Sequence, residues 1–165
     1  MSLRPILTWP DDRLQTECTP VGAVTDEVRA LAADMLETMY DAPGRGLAAP
    51  QVGVLRRVFV MDATWKEGTP SPVVCIDPVI VSFGDVLAEA SEGCLSLPGV
   101  SVQVTRPTTV RMTWTDLDGV RQDRALTGFA ALCAQHELDH LDGIVTLDRV
   151  DADQRAHVLA HYDAP

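Results

Sequence analysis

The stretch Gln135-His136-Glu137-Leu138-Asp139-His140 contains the pattern His-Glu-x-x-His, and the rest of the chain can be placed around it. On a helix, four residues advance about 400° and about 6 Å, so both imidazoles project from nearly the same face. A helix binds a divalent transition metal through this arrangement. Glu137 directly follows the first histidine and could act as the base in a metal-assisted hydrolysis. The identity of the third ligand determines which chemistry the site performs.

Two glycine-containing segments upstream could supply the remaining groups. Glu92-Gly93-Cys94-Leu95-Ser96 contains a cysteine that can ionise when it meets a metal. Gly44-Arg45-Gly46-Leu47-Ala48-Ala49-Pro50-Gln51 consists mostly of small residues and could line a close-fitting pocket. A set of Cys94, His136 and His140 would leave a fourth coordination position open, which indicates catalysis rather than a structural metal site.

Three helices are predicted from hydrophobic periodicity and end signals. The first begins after Thr25, a plausible N-cap, and ends before Pro43 and Gly44. The second begins after Thr127, carries His-Glu-x-x-His, and ends at Gly143. A short third helix is predicted over about 151–161, and its two histidines are interpreted as solvated surface residues.

The remaining chain is predicted to be mainly strands and turns. Strands are expected at 57–61, 73–76, 79–81, 100–104 and 108–115. The pair Asp77-Pro78 is interpreted as a break between two of these strands, and residues 3–22 have no regular pattern. We therefore expect one α+β domain, residues 1–165, with mainly antiparallel sheets around a central helix that carries His-Glu-x-x-His.

The composition excludes several classes of protein. The 165 residues are 46% hydrophobic and 22% charged, as in ordinary globular proteins. The net charge of −11 argues against direct nucleic-acid binding, because no Lys/Arg cluster could neutralise a phosphate backbone. No signal peptide or membrane-spanning run is recognisable, so we expect a cytoplasmic protein without membrane contact. The cysteines are expected to be free thiols or a metal ligand rather than disulfides.

Together, the three segments resemble the motifs of the peptide deformylase family. Residues 44–51 are similar to the family's G-x-G-x-A-A-P-Q motif, residues 92–96 to E-G-C-L-S, and residues 135–140 to Q-H-E-x-D-H. Their order and spacing also agree, and the resemblance extends from Pro10 to about Arg149. His-Glu-x-x-His alone occurs in unrelated metalloproteases, so the specific signal is the combination of all three motifs.

The resemblance implies an enzyme that removes the formyl group from the N-terminal methionine of nascent chains and releases formate. It implies one divalent metal held by Cys94, His136 and His140, namely Fe(II), which zinc, nickel or cobalt can replace. Imidazole and thiolate suit all of these metals, so ligand type does not choose among them. Glu137 would transfer a proton from water to the leaving nitrogen.

The resemblance also implies roles for the groups around the metal. The Gln51 side-chain amide and the Leu95 backbone N–H would stabilise the oxyanion. Gly44 and Gly46 would let the peptide pair with the chain as an added strand. A methionine pocket is expected to consist of Arg45 at its mouth with Phe129, Leu132 and Cys133 behind it. Glu92 and Asp139 are expected to orient the ligand imidazoles.

Other functions remain open at this point. A related protein could hydrolyse a different N-acyl group, or the metal could stabilise a binding protein without catalysis. A general metalloprotease is a weaker alternative, because the cysteine ligand and the glycine-rich segment favour a small-group hydrolase. The expected partners are an N-formylmethionyl peptide and, transiently, the ribosome, with the chain acting as a monomer. The short C-terminal helix argues against docking through a long basic helix.

Overall fold

The computed structural model describes residues 1–165, which form three helices and seven strands. The helices are α1 (Asp26–Asp41), α2 (Gly128–Leu141) and α3 (Ala152–His161). The strands are β1 (Gly46–Ala48), β2 (Val58–Met61), β3 (Val73–Phe83), β4 (Leu87–Cys94), β5 (Leu97–Pro107), β6 (Thr109–Thr115) and β7 (Arg121–Thr127). None of the helices has the length and apolar character needed to cross a membrane.

The strands form two antiparallel sheets that face α2. The larger sheet has the order β1-β2-β3-β6-β7, and β4 pairs with β5 in a separate hairpin. The hairpin starts with Leu87 opposite Pro107, and its register shifts between Gly93 and Cys94. Helix α2 contacts β1, β2, β6 and β7 of the larger sheet and β5 of the hairpin. The predicted α+β architecture around the His-Glu-x-x-His helix is confirmed.

Helix α2 packs against buried apolar side chains of the larger sheet. Ala134 and Leu141 are fully buried and share a core cluster with Phe59 and Trp114 of the larger sheet. Each large apolar side chain buried in this way contributes about 1.5–3 kcal/mol to folding. Ala134 is small and lets the sheet approach the helix closely. The polar residues of α2 are therefore fixed by the packing of their apolar neighbours.

Helix α1 supports the strands that carry the first motif. Thr25 is its N-cap, as predicted, and accepts a hydrogen bond from the N–H of Val28 at 3.3 Å. Met35 and Met39 are fully buried and belong to the same cluster as Val58 of β2. Since β2 pairs with β1, this packing fixes the position of the glycine-containing segment.

Strand β3 continues through Asp77-Pro78, where the sequence predicted a break. Its register with β6 shifts between Ile76 and Val79, so the pair lies in a bulge. Asp77 has a φ of 48°, a conformation that few residues other than glycine adopt. The prediction of two separate strands is wrong because a bulge accommodates a proline without ending the ladder.

The N-terminal segment, residues 3–22, has little regular structure but connects the three motifs. Backbone hydrogen bonds run from its N–H groups to carbonyl groups of the motif regions, namely Leu7 to Gln51 (2.7 Å), Trp9 to Ser96 (2.8 Å) and Cys18 to Leu141 (2.8 Å). Each bond satisfies a backbone group that would otherwise lack a partner. The segment therefore holds together, through hydrogen bonds, regions of the chain that are far apart in sequence.

Candidate active site

Three potential metal ligands converge, one from the end of β4 and two from α2. The donor atoms of Cys94, His136 and His140 all lie within 4.8 Å of one another. The sulfur of Cys94 lies 3.4 Å from Nε2 of His140. The histidine ring centroids are 5.0 Å apart, as expected for residues four apart on one helix. The structure thus brings together the three residues that the sequence singles out as ligands.

His136 is oriented by a carboxylate from β4. Its Nδ1 lies 2.9 Å from Oε1 of Glu92, so Nε2 is the nitrogen that remains for the cluster. Glu92 is held in turn by Arg106, with N–O distances of 2.7 and 3.0 Å. Burial acts to raise the pKa of Glu92, but hydrogen bonds with His136 and Arg106 lower it to about 2. Glu92 is therefore an ionised acceptor beside the histidine.

Asp139 does not contact an imidazole, and the expectation that it orients one is corrected. Its carboxylate binds Nη1 of Arg106 at 3.0 Å and two nitrogens of Arg149 at 3.0 and 2.6 Å. The Nδ1 atom of His140 is buried and has no hydrogen-bond partner in the chain. Successive residues of a helix point about 100° apart, which directs Asp139 away from its neighbour His140 and toward Arg106.

Cys94 lies in surroundings that favour its thiolate. Burial acts to raise the pKa of the thiol, but the charge of His140 and hydrogen bonding with His136 outweigh burial and hold the pKa well below its ordinary range. The thiolate is the form that binds a metal. Burial instead raises the pKa of Cys75 and Cys133 well above the ordinary value. All four cysteines are free thiols, so the expectation of no disulfides is confirmed.

Gln51 directs its amide nitrogen at the cluster. Its Oε1 accepts a hydrogen bond from the N–H of Ala48 at 2.9 Å, which turns Nε2 toward the β4–β5 turn. Nε2 donates to Oγ of Ser96 at 3.0 Å and lies 3.7 Å from the sulfur of Cys94. Gln51 is 1% exposed, so these contacts fix its orientation. Leu95 lies in the same turn, and it and Gln51 both line an open groove at the cluster.

Glu137 lies beside the ligand candidates with one carboxylate oxygen free. Its side chain is buried, and Oε2 has no hydrogen-bond partner in the chain. Burial raises the pKa of Glu137 above its ordinary value, although His136 and His140 act in the opposite direction. Gly46 allows β1 to approach this carboxylate, because a Cβ at that position would lie 2.8 Å from Cδ of Glu137.

An open groove of about 570 Å³ leads to the cluster. Its lining includes all the residues predicted to bind a peptide, namely Gly44, Arg45, Gly46, Phe129, Leu132 and Cys133. The guanidinium of Arg45 stacks on the ring of Phe129, with Cζ 4.7 Å from the centroid, and pairs with Glu67 at 3.0 Å. Phe129 is 46% exposed, so it forms groove surface rather than core.

Comparison with known proteins connects this geometry to a family. The sequence profile of the family described as polypeptide deformylase matches residues 3–156. The chain belongs to this family. It is 45% identical over 162 residues to the peptide deformylase of Afipia carboxidovorans, covering 98% of this chain and 95% of that protein. It is 46% identical over 164 residues to the peptide deformylase of Rhizorhabdus wittichii, covering 96% and 93%.

The fold gives the same result. The crystal structure of peptide deformylase from Ehrlichia chaffeensis in complex with actinonin superimposes with a TM-score of 0.92 and 36% sequence identity, covering 98% of this chain and 96% of that chain. The resemblance to the deformylase family is therefore confirmed. The activity of this family is the deformylation of nascent polypeptides, and the protein is a hydrolase of this kind. The alternative functions are not favoured.

Three residues outside the sequence-based predictions help to build this deformylase site. The hydroxyl of Ser96 accepts a hydrogen bond from the side-chain amide of Gln51, and Trp65 donates its ring N–H to the carbonyl of Gly44 at 2.9 Å. Arg106 binds both Glu92 and Asp139. Buried and exposed residues alternate along β5, and Arg106 occupies one of the buried positions. A charged residue at a position where the alternation predicts an apolar one is a sequence signal that could have identified Arg106. No spacing or motif marks Trp65.

The cluster fits the divalent metal that membership of the deformylase family implies. One thiol and two imidazoles form a donor set that Fe(II), zinc, nickel and cobalt all accept. One buried polar atom without a partner, Oε2 of Glu137, belongs to the residue that directly follows His136 in the chain. Such atoms are rare in native proteins, and a bound ion or ligand is a common explanation for them.

Proposed function

We propose that this chain removes the formyl group from N-terminal formyl-methionine with Cys94, His136 and His140 as ligands of one divalent metal. The observation that carries the proposal is the convergence of these three donor atoms within 4.8 Å beside the free carboxylate oxygen of Glu137. A metal held there would supply a Lewis acid that polarises the formyl carbonyl and activates water. We infer Fe(II), with zinc, nickel or cobalt as functional substitutes.

Glu137 is the residue that moves protons. Its Oε2 is free to accept a proton from the attacking water, and its carboxylate then delivers that proton to the leaving nitrogen. Burial raises the pKa of Glu137, which brings it closer to the pH at which a base and an acid are both effective. The backbone of Gly46 packs against the carboxylate and restricts where it can point.

Gln51 and Leu95 stabilise the oxyanion. The amide nitrogen of Gln51 lies on the Cys94 side of its side chain because Oε1 is engaged by Ala48. Leu95 offers its backbone N–H from the turn after Cys94. Donors fixed before the reaction begins lower the barrier without reorganisation, and removal of one such donor typically costs about 10²–10³ in kcat.

The groove binds the formylated peptide in an extended conformation. Gly44 and Gly46 present backbone at its edge, where a peptide can add as a strand. The methionine side chain enters between Phe129, Leu132 and Cys133, and Arg45 lies over the mouth of this pocket. The stack of Arg45 on Phe129 restricts the width of the mouth. A narrow entrance favours an unbranched side chain such as methionine.

The setting of the reaction follows from the substrate. Nascent chains carry the formyl group, so we infer a cytoplasmic enzyme with transient ribosome contact. One chain can supply all the proposed site residues, and we infer one catalytic domain over residues 1–165 that acts as a monomer. A net charge of −11 supports the absence of direct nucleic-acid recognition.

The test is formate release from formyl-Met-Ala-Ser by protein purified without oxygen and loaded with Fe(II) or Ni(II). Metal-dependent release that Glu137→Gln abolishes, with metal content unchanged, is expected. Release of acetate or longer acids from the matching acyl peptides, without formate, would instead establish a different N-acyl substrate. One bound metal per chain with no release from any of these peptides would contradict catalysis, and cleavage of internal bonds would indicate a metalloprotease.

A further inference from the structure

A buried arginine on β5 lies immediately behind the proposed metal ligands. Arg106 is 5% exposed, and its guanidinium binds both oxygens of Glu92 at 2.7 and 3.0 Å. Its third nitrogen binds Asp139 of α2 at 3.0 Å. One planar group therefore connects the β4–β5 hairpin with the helix that carries His136.

The strand pattern makes an arginine at this position costly. Val102, Val104 and Arg106 occupy alternate positions of β5 that face the interior, and the two valines are packed in a core cluster. A buried ion pair adds little to stability compared with an apolar residue of similar volume, because desolvation offsets the attraction. The stability of the fold alone does not account for a charge here.

The contacts of Glu92 indicate what the arginine does. One oxygen of Glu92 is shared between Arg106 and Nδ1 of His136, which lies 2.9 Å away. When the plane of the carboxylate cannot rotate, its hydrogen bond with the histidine determines which ring nitrogen carries the proton and how the ring is oriented. Without the two-point contact, the Glu92 side chain could rotate and release the ring.

A second arginine provides a natural comparison. Arg149 binds the same Asp139 carboxylate as Arg106, at 3.0 and 2.6 Å, but its side chain is 43% exposed. The groups form a row in the order Arg149, Asp139, Arg106, Glu92 and His136. Arg106 is the arginine that contacts Glu92.

We propose that Arg106 is a positioning residue that holds Glu92, and through it the tautomer and ring orientation of His136, in the geometry needed to retain the metal. The proposal rests on the assignment of His136 as a ligand in the proposed function. Arg106 does not contact the substrate groove itself, so its effect passes through Glu92.

The experiment measures how fast a chelator removes Co(II) or Zn(II) from the loaded protein. Arg106→Lys keeps the charge but cannot bind both oxygens of Glu92 and also Asp139, so release is expected to be about 10–100-fold faster. Arg149→Lys makes the same chemical change at a residue that does not reach Glu92, and release is expected to stay within about 2-fold. When Glu92 is already replaced in Glu92→Gln, adding Arg106→Lys should not change the rate of metal release any further.

Two further readouts separate the possible outcomes. The visible spectrum of the Co(II) protein should shift in Arg106→Lys and remain unchanged in Arg149→Lys, whereas a general loss of stability would change Tm alone. Unchanged release and an unchanged spectrum in Arg106→Lys, or equal changes in both variants, would overturn the proposal. If Arg106→Lys does not fold, Arg106→Gln replaces it with the same expected order of rates.

Failure of the proposed function would look different. If wild-type protein binds no Co(II), or if His136→Ala retains it with an unaltered spectrum, then His136 is not a ligand and the assignment beneath this inference is wrong. If wild type binds one Co(II) that His136→Ala loses, only the behaviour of the Arg106 variants decides this inference.

Discussion

Gly46 brings the backbone of β1 directly against the carboxylate of Glu137. An added Cβ would lie 2.8 Å from Cδ of Glu137 and 2.9 Å from the sulfur of Cys133, so the carboxylate must shift. We expect Gly46→Ala to lower kcat about 100-fold, because a displacement near 1 Å has this effect on a catalytic group. Metal content should stay at one ion per chain. Steady-state formate release and metal analysis on the same sample check both expectations.

Gly93 is the matched control for this substitution. A Cβ on Gly93 meets no atom within 4 Å, and the residue does not have the left-handed conformation that favours glycine. Gly93→Ala should therefore affect kcat far less than Gly46→Ala. Equal losses in both variants would show that the close approach to Glu137 is not the reason for glycine at position 46.

The cysteines should react with iodoacetamide at very different rates in metal-free protein. Burial raises the pKa of Cys18 to about 11 and raises the pKa of Cys75 and Cys133 well above the ordinary value, so at pH 7 these thiols stay protonated. Cys94 should be modified first, and a bound metal should protect it. Peptide mass spectrometry after timed quenching measures the order, and early labelling of Cys75 would contradict it.

The site could be predicted from sequence wherever residue type and spacing carry the chemistry. Two histidines four apart on a helix and a cysteine in a glycine-containing turn mark His136, His140 and Cys94 as candidate ligands, and the structure brings these three residues together. Arg106 could not be found in this way, because a single arginine in a strand has no partner at a fixed spacing. The expectation that Asp139 orients an imidazole is wrong, since the sequence does not show that the side chain of a buried arginine lies nearer to Asp139 than an imidazole does.

The bulge in β3 depends on Asp77. Its carboxylate accepts hydrogen bonds from the N–H groups of Val21 and Gly22 at 2.8 and 2.9 Å, while its own φ is 48°. Asp77→Ala removes both acceptors and places alanine in a left-handed conformation, which should cost about 2 kcal/mol. For a chain of this size, that loss corresponds to a Tm lower by about 4–8 °C, measurable by circular dichroism.

Asp85 provides the comparison for this change. It is an exposed acid of the same type in the turn between β3 and β4, and it does not have a positive φ. Asp85→Ala should leave Tm nearly unchanged. A similar fall in both variants would mean that loss of an acidic charge, rather than the bulge, determines the effect.

Helices were easier to predict than strand continuity. The apolar periodicity, the N-cap Thr25 and the glycine at position 143 just beyond α2 located α1 and α2 within a few residues, because these signals are local. The course of β3 through Asp77-Pro78 depends on pairing with β6, which lies more than thirty residues later and leaves no local trace. A proline therefore indicated a break where the partner strand permits a bulge.

The molecule as a whole depends on its N-terminal segment. Leu7 donates its N–H to the carbonyl of Gln51 at 2.7 Å, and Leu7→Pro removes that donor. We expect kcat to fall about 10-fold and Tm to fall as well, because the turn that presents Gln51 loses an anchor and its carbonyl loses a partner. Parallel measurement of formate release and thermal unfolding checks this expectation.

Leu7→Ala separates the hydrogen bond from the side chain. It retains the N–H but removes apolar atoms that pack against the cluster containing Leu14. Stability should fall in Leu7→Ala, whereas kcat should remain close to wild type. If Leu7→Ala reduces kcat as much as Leu7→Pro, then side-chain packing rather than the backbone contact supports the site.

The hydrogen bonds of the N-terminal segment also determine when during synthesis the enzyme can become active. Cys18 leaves the ribosome well before Leu141, whose backbone carbonyl accepts a hydrogen bond from the Cys18 N–H, has been made. Contacts of such long range form late and slow the closure of a fold. A copy whose synthesis has not reached α2 lacks both this anchor and the two histidines proposed to bind the metal, so it cannot process other chains. Activity is therefore confined to copies in which α2 has been made and has packed against the N-terminal segment.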